Sequence, residues 1–171
     1  MADIKIIVDS GSDIPQDIAD KYNIGVISFL SIFGTEQYVQ RTEITNEQFF
    51  DKLEEYDGIP TTSQTPFGDM LDYFKQQCEE HESVIYFALS SAASGQYQTA
   101  NLVKSEIEEE NPNADFHIVD TQKFSLYIAQ TAVHAAQMAK DGKSVDEIIT
   151  ECEKYIKTCL LYTSDAADEA R

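Results

Sequence analysis

Residues 83–97 read SVIYFALSSAASGQY, and this stretch decides the fold. Its first half, 83–89, is mostly apolar and rich in β-branched and aromatic side chains, which predicts a buried strand. Its second half is a loop of small hydroxyl residues, and a helix is expected to follow from about Ser94 to Glu110. The stretch therefore predicts a strand–loop–helix unit, which is the repeating element of a parallel α/β sheet.

A second hydroxyl-rich stretch, residues 60–66, reads PTTSQTP, and a helix is predicted to begin near Pro66 or Phe67. Serine and threonine before a helix most often serve only as caps for unpaired backbone N–H groups. Two stretches with several hydroxyls each hold more of them than capping needs. Because the same helix ends can bind a carboxylate or a phosphate, we expect the two stretches to form one anion-binding pocket, with simple capping as the alternative.

The rest of the chain alternates strand-like and helix-like segments around these two stretches. Strands are predicted at 4–8, 25–32 and 116–119, a hairpin turn at 33–36 with 37–39 returning, and further helices from about Pro15, after Thr45, at 124–140 and after Ser144. This alternation predicts an α/β fold with a largely parallel sheet flanked by helices.

Polar residues follow several of the predicted strands, at the edge where α/β sheets bind ligands. Asp9 and Ser10 follow the first strand, Ser91 lies just after the strand at 83–89, and Thr121 follows the strand at 116–119. Ser10, Ser91 and Thr121 are therefore further candidates for contact with a ligand.

The composition and charge of the chain disfavour some classes of binding partner. The chain has 171 residues, enough for one domain with a core, and a net charge of −19 from 12 basic and 31 acidic residues. This charge disfavours nucleic acid and anionic membrane surfaces as partners. No apolar run approaches the ~20 residues of a membrane span, so no membrane insertion is expected. The first residues enter a strand-like run with no signal-peptide pattern.

The cysteines indicate a reducing compartment. Cys78, Cys152 and Cys159 are odd in number and form no C-x-x-C pair. Together with the missing signal pattern, this predicts a cytoplasmic protein. No cysteine–histidine cluster has zinc spacing, so neither a metal site nor a cofactor is expected.

The last residues break the pattern. Residues 159–169 read CLLYTSDAADE and closely resemble one reading frame of a transposase-based sequencing adapter. We therefore expect 1–158 to form the native α/β domain and 159–171 to be a non-native, adapter-derived tail of a truncated reading frame. A natural polar tail is the alternative.

Five motifs, in order along the chain, resemble the DegV family of bacterial fatty-acid-binding proteins. They cover essentially all of 3–157 and lie at 6–10 (IIVDS), 60–64 (PTTSQ), 90–100 (SSAASGQYQTA), 119–121 (VDT) and 142–148 (GKSVDEI). Two positions depart from the family pattern: Thr65 precedes Pro66 where proline often follows the Thr-Ser-Gln element, and Ala93 stands where leucine is common.

The resemblance implies a carrier and not an enzyme. Family members are two-domain α/β proteins that hold a long-chain fatty acid in a tunnel, and some present it to a fatty acid kinase. Carried over by motif, Thr62 and Ser94 hydrogen-bond the carboxylate, and Ser63 and Gly95 complete the polar end. The resemblance implies that the second domain of the family is missing, so we expect this fragment to bind a fatty acid weakly or not at all.

Two alternatives remain from the residues themselves. Ser94 at a strand-to-helix turn could be the nucleophile of an acyl hydrolase, with His81, His117 or His134 as the base, although Ala92 removes the G-x-S-x-G pattern. Hydroxyl loops at helix starts also suit a phosphate ligand, although no phosphate-binding glycine motif occurs.

Overall fold

A computed structural model describes residues 3–158, and the expected adapter-derived tail lies outside the described residues. The strands are β1 (Ile4–Asp9), β2 (Gly25–Ile27), β3 (Leu30–Phe33), β4 (Glu36–Val39), β5 (Thr61–Ser63), β6 (Ser83–Ala88) and β7 (Phe116–Asp120). The helices are α1 (Gln16–Tyr22), α2 (Asn46–Glu55), α3 (Phe67–Glu80), α4 (Gln96–Glu110), α5 (Leu126–Lys140) and α6 (Val145–Thr158), with a 3₁₀ turn at Ser10–Ser12.

The main sheet has four parallel strands in the order β2-β1-β6-β7. Successive side chains of a strand point to opposite faces, and each face packs against helices. Ile6, Val8 and Phe87 pack against α5 and α6, whereas Ile7 and Tyr86 pack against α3 and α4. Both faces are covered, so the expectation of an α/β fold with a parallel sheet flanked by helices is confirmed.

A second sheet has three antiparallel strands in the order β4-β3-β5. The hairpin of β3 and β4 is the one that the sequence predicted, whereas the addition of β5 and the separation from the main sheet were not predicted. The second sheet forms because the strand expected at 25–32 is interrupted at Ser28 and Phe29. The backbone N–H of Phe29 donates to the hydroxyl of Ser10 at 3.0 Å, and the hydroxyl of Thr65 donates to the carbonyl of Ser28 at 2.8 Å. Side chains thus take the backbone groups that a continuous strand would use, and β2 and β3 enter different sheets.

Side-chain capping is present at the starts of two helices. Thr45 and Gln48 form a capping box at the start of α2, with reciprocal bonds of 3.2 and 2.9 Å. Ser144 and Glu147 form the same pattern before α6. Gly34 has a φ of +63° in the turn between β3 and β4, a conformation that favours glycine.

Among residues 3–158, no helix has the length and apolar character needed to cross a membrane.

Candidate functional site at the carboxyl edge of the parallel sheet

The two hydroxyl-rich stretches meet at the carboxyl edge of the parallel sheet. The loop 89–95 follows β6, and Thr61–Ser63 forms the edge strand β5 of the small sheet. Their contacts form a seam that we define by four residues, Gln64 and Thr65 on one side and Gln96 and Thr99 on the other. The amide of Gln64 donates to the hydroxyl of Thr99 at 2.9 Å.

The buried half of the seam joins Thr65 to Gln96. The side-chain carbonyl of Gln96 accepts from the backbone N–H of Thr65 at 3.1 Å, and its amide donates to the hydroxyl of Thr65 at 3.0 Å. Gln96 is fully buried, so these bonds satisfy groups that would otherwise be costly in the interior. The seam therefore fixes the two stretches relative to each other.

Gly95 makes the close approach possible. A Cβ atom on Gly95 would lie 2.5 Å from the side-chain oxygen of Gln64, inside van der Waals contact. Its φ of −71° is ordinary, so the glycine is needed for space and not for an unusual backbone conformation.

Thr62 carries a free hydroxyl. It is exposed, and its hydroxyl has no hydrogen-bond partner among residues 3–158. Thr62 pairs with Ser31 across the small sheet, and directly opposed residues place their side chains on the same face. Gln40 links Ser31 to Ser10 on that face, donating to the Ser31 hydroxyl at 3.0 Å and accepting from that of Ser10 at 2.7 Å.

Ser63 and Ser94 are half-buried. The hydroxyl of Ser94 accepts from the backbone N–H of Gln96 at 3.2 Å, so it serves in part as the cap that the alternative interpretation expected. Its own proton remains available for a further acceptor. The Ser63 hydroxyl makes a longer bond of 3.3 Å to the carbonyl of Gln64.

The hydroxyls of Ser10, Ser91 and Thr121 are all used inside the protein. Ser10 donates to Gln40, Ser91 donates to Asp120 at 2.5 Å, and Thr121 is fully buried and donates to the carbonyl of Ala88 at 2.7 Å. Each hydroxyl has one proton to donate. These three residues therefore shape the loops, and their protons are not free for a ligand in this structure.

Asp9 has a structural role that sequence reasoning missed, because the sequence shows only that this residue follows the first strand. It ends β1 and is fully buried. Its Oδ2 accepts from the backbone N–H of Leu89 at 2.6 Å and from the hydroxyl of Tyr86 at 3.0 Å. Burial raises the pKa of Asp9 to about 6, against the opposing effect of these two hydrogen bonds. An acid directly after a central apolar strand was the available signal.

A groove of about 680 Å³ lies beside the small sheet, next to this polar cluster. Ser10, Ser31 and Gln40 form part of its polar wall, and Phe49 and Phe50 form an apolar wall. Phe50 is 62% exposed. The groove thus offers polar and apolar surface side by side, on the sheet face to which Thr62 belongs.

The comparison with known families gives one assignment. A family model described as "Uncharacterised protein, DegV family" matches residues 3–167. The chain belongs to the DegV family. A curated DegV domain-containing protein of Clostridium perfringens is 34% identical over 170 residues, which cover 97% of this chain and 58% of the relative.

Solved structures of DegV-family proteins have the same fold. DegV of Bacillus subtilis, described as a fatty acid binding protein, has a TM-score of 0.84 and 27% identity, covering 92% of this chain and 55% of its own. A fatty-acid-binding DegV-family protein of Thermus thermophilus has a TM-score of 0.79 and 28% identity. The match covers 91% of this chain and 54% of the Thermus protein. The chain therefore spans little more than half the length of these relatives.

The geometry of this DegV-family chain does not favour a serine hydrolase. A serine nucleophile needs a base within hydrogen-bond reach. His81 instead contacts Asp3 at 2.9 Å, His117 contacts Asp115 at 2.7 Å, and the ring of His134 lies 6.0 Å from that of Tyr155. Among residues 3–158, no hydrogen bond joins Ser94 to any of the three histidines.

Proposed function

We propose that this chain binds the carboxylate of a long-chain fatty acid between its two hydroxyl-rich stretches. The hydroxyls of Thr62, Ser63 and Ser94 and the backbone of Gly95 form the polar end of the site. One observation carries the proposal. The seam holds the stretches together through its own four residues, and this leaves the Thr62 hydroxyl unpaired and the Ser94 proton available.

Neutral donors suit this ligand and this protein. Each neutral hydrogen bond contributes about 1 kcal/mol, so these bonds orient the carboxylate but add little to the affinity for the ligand. Most of the affinity for an acyl chain comes instead from buried methylenes, at about 0.8 kcal/mol each. The apolar wall at Phe49 and Phe50 provides such surface next to the polar cluster.

The relatives support the same ligand class. The Bacillus subtilis and Thermus thermophilus proteins are described as fatty-acid-binding, and over the aligned residues they are 27% and 28% identical to this chain. The family resemblance extends the proposal to presentation of the bound acid to a fatty acid kinase. In that role the chain is a carrier and catalyses no step itself.

The test is calorimetric titration with oleate below its micelle concentration, with Bacillus subtilis DegV as the positive control. Thr62→Val and Ser94→Ala should each weaken binding roughly fivefold, because each removes one neutral hydrogen bond. Thr61→Val is the matched control, since Thr61 is an exposed threonine on the opposite face of the same strand. Ser105→Ala is the corresponding control far along α4.

Two results would overturn the proposal. One is wild-type protein that does not bind oleate. The other is an equal effect of Thr61→Val and Thr62→Val, which would show that the face of β5 is irrelevant. Inorganic phosphate at millimolar concentration should leave the oleate titration unchanged, and competition by phosphate would favour a phosphate ligand instead.

A further inference from the structure

We infer that Asp9 is a positioning residue that holds both hydroxyl-rich stretches in place from beneath the sheet edge. The inference rests on the proposed function, because it concerns how that same site is held. Asp9 itself is fully buried and therefore does not touch a ligand bound at the surface of the loops.

The direct contact is with the loop after β6. The Oδ2 atom of Asp9 accepts from the backbone N–H of Leu89 at 2.6 Å, where this loop leaves the strand. A hydrogen bond to an ionised carboxylate is shorter and about twice as strong as one between neutral groups. Asp9 thus fixes the first residue of the loop that ends at Ser94 and Gly95.

The indirect contact reaches the other stretch through Tyr86. Its hydroxyl donates to Oδ2 of Asp9 at 3.0 Å and also interacts with the side-chain amide of Gln96. Gln96 in turn holds the backbone N–H and the hydroxyl of Thr65. Hydrogen bonds therefore join Asp9 to Tyr86 and Gln96 to Thr65, and the interaction between Tyr86 and Gln96 connects these two pairs. Buried polar networks of this kind act together, and this one reaches the stretch that carries Thr62.

An amide of the same size is not equivalent to the carboxyl group of Asp9. Oδ1 is buried with no hydrogen-bond partner among the described residues, and it lies against Gly11, whose backbone amide favours the charged form. Asparagine would place its NH₂ group either against Gly11 or against the N–H of Leu89. In both orientations the NH₂ group of asparagine faces a backbone N–H, and two donors cannot form a hydrogen bond. We therefore expect Asp9→Asn to weaken this contact although the side chain keeps its size.

The groups facing Asp9 are few. Tyr86 on β6 donates to it, Asp13 after the 3₁₀ turn repels its charge, and Tyr73 on α3 acts on Tyr86 in turn. Burial raises the pKa of Asp9 to about 6 and raises the pKa of Tyr73 and Tyr86 further above their ordinary value, so a pH profile near 6 can report on Asp9 and not on these tyrosines. Protonation weakens the charge-assisted bond to Leu89.

The experiment compares wild type, Asp9→Asn, Tyr86→Phe and the control Asp115→Asn. Asp115 is a hydrogen-bonded carboxylate at the opposite edge of the sheet, before β7. Oleate affinity is measured by calorimetry, and amide exchange at Leu89 and Thr65 is measured by NMR. We expect Asp9→Asn to weaken oleate binding about tenfold and to reduce protection of Leu89 by a similar factor. Protection in wild type should fall as the pH is lowered through about 6.

Tyr86→Phe keeps the carboxylate and breaks only the indirect branch, so it should reduce protection of Thr65 more than that of Leu89. It also keeps the test decisive if Asp9→Asn does not fold. Unchanged Leu89 and Thr65 protection in both variants would overturn the inference, whether or not oleate binds. Lost protection in a protein that does not bind oleate would uphold the positioning role and overturn the fatty acid assignment.

Discussion

The two sheets differ in how completely they are buried. All six residues of β6 in the parallel sheet are buried, and helices cover both faces of that sheet. In the small sheet, neither β4 nor β5 has a fully buried residue, and α2, which packs beside it, buries none. The parallel sheet is a rigid scaffold, whereas the small sheet is accessible to solvent and to ligands.

The candidate site takes one part from each region. Ser94 and Gly95 come from a loop that the parallel sheet holds directly, and Thr62 and Ser63 come from the edge of the small sheet. Side chains that bind a ligand need a rigid support to be placed precisely, and the ligand needs exposed backbone and side chains to reach them. The seam between the sheets supplies both, because its buried bonds connect an exposed strand to a buried helix start.

The largest expected effect tests whether the two regions contribute unequally to stability. Phe87 is fully buried in the parallel sheet, so Phe87→Ala should lower the free energy of unfolding by about 4 kcal/mol. Phe33 is also buried, but it packs mainly against rings of the hairpin and α2, such as Tyr38, Phe49 and Tyr56. Phe33→Ala should cost about half as much, because its surroundings can collapse more easily.

Urea denaturation of the two variants measures this difference. Equal losses in the free energy of unfolding would show that the small sheet unfolds as one unit with the main core. The two sheets would then differ in burial but not in their contribution to stability.

Sequence reasoning predicted the strands of the main sheet and the hairpin of β3 and β4, but it missed the break between β2 and β3 and the pairing of β5, for a physical reason. Strands such as 83–88 are continuous apolar runs, and both of their faces are buried, so the pattern alone identifies them. The break at Ser28 and Phe29 depends on hydrogen bonds from Thr65 and to Ser10, which are distant in sequence. Tertiary contacts of this kind leave no local pattern to read.

The same limit applies to the candidate site. The hydroxyl-rich stretches and their position after strands could be predicted from the residue types, whereas the close approach at Gly95 could not. The position of Asp9 after a central strand marks it as a candidate, but its role and that of Gln96 could not be predicted, because these roles depend on buried partners distant in sequence. That Thr62, Ser63, Ser94 and Gly95 bind a carboxylate stays a prediction.

The second expected effect concerns pH and Asp9. Burial raises the pKa of this carboxyl from 3.8 to about 6, so the folded protein binds more protons than the unfolded chain between these values. Stability from this group is therefore present at the acid end of that window and is lost as the pH rises through it, by about 3 kcal/mol in total. Asp9→Asn should remove this loss, as measured by urea denaturation at pH 4.5 and pH 7.

The contribution of Asp115 to stability depends on pH in the opposite direction to that of Asp9. Burial tends to raise its pKa, but hydrogen bonds from Ser83 and His117 outweigh burial and lower it. The stability that Asp115 provides is thus lost as the pH falls. Asp115→Asn should leave the Asp9 component intact, and a pH profile that Asp9→Asn does not alter would contradict the assignment of a raised pKa.

The smallest effect on stability is expected at the seam itself, for Gly95→Ala. The backbone of Gly95 suits alanine, and the atom that its Cβ would meet is the end of the flexible Gln64 side chain. Gln64 can swing away, which breaks its 2.9 Å bond to Thr99 and costs no more than about 1 kcal/mol. Oleate affinity should nevertheless fall about fivefold, because the two stretches separate where the carboxylate is proposed to bind.

Gly68→Ala is the matched control for that variant. Nothing lies within 4 Å of the position that a Cβ on Gly68 would take, and the residue is in the first turn of α3. Alanine there should stabilise the helix by up to about 1 kcal/mol and leave oleate binding unchanged. Thermal unfolding and oleate titration of the two variants separate stability from binding. If Gly95→Ala retains full affinity, the close contact between the sheets is a packing feature alone and the seam does not shape the ligand site.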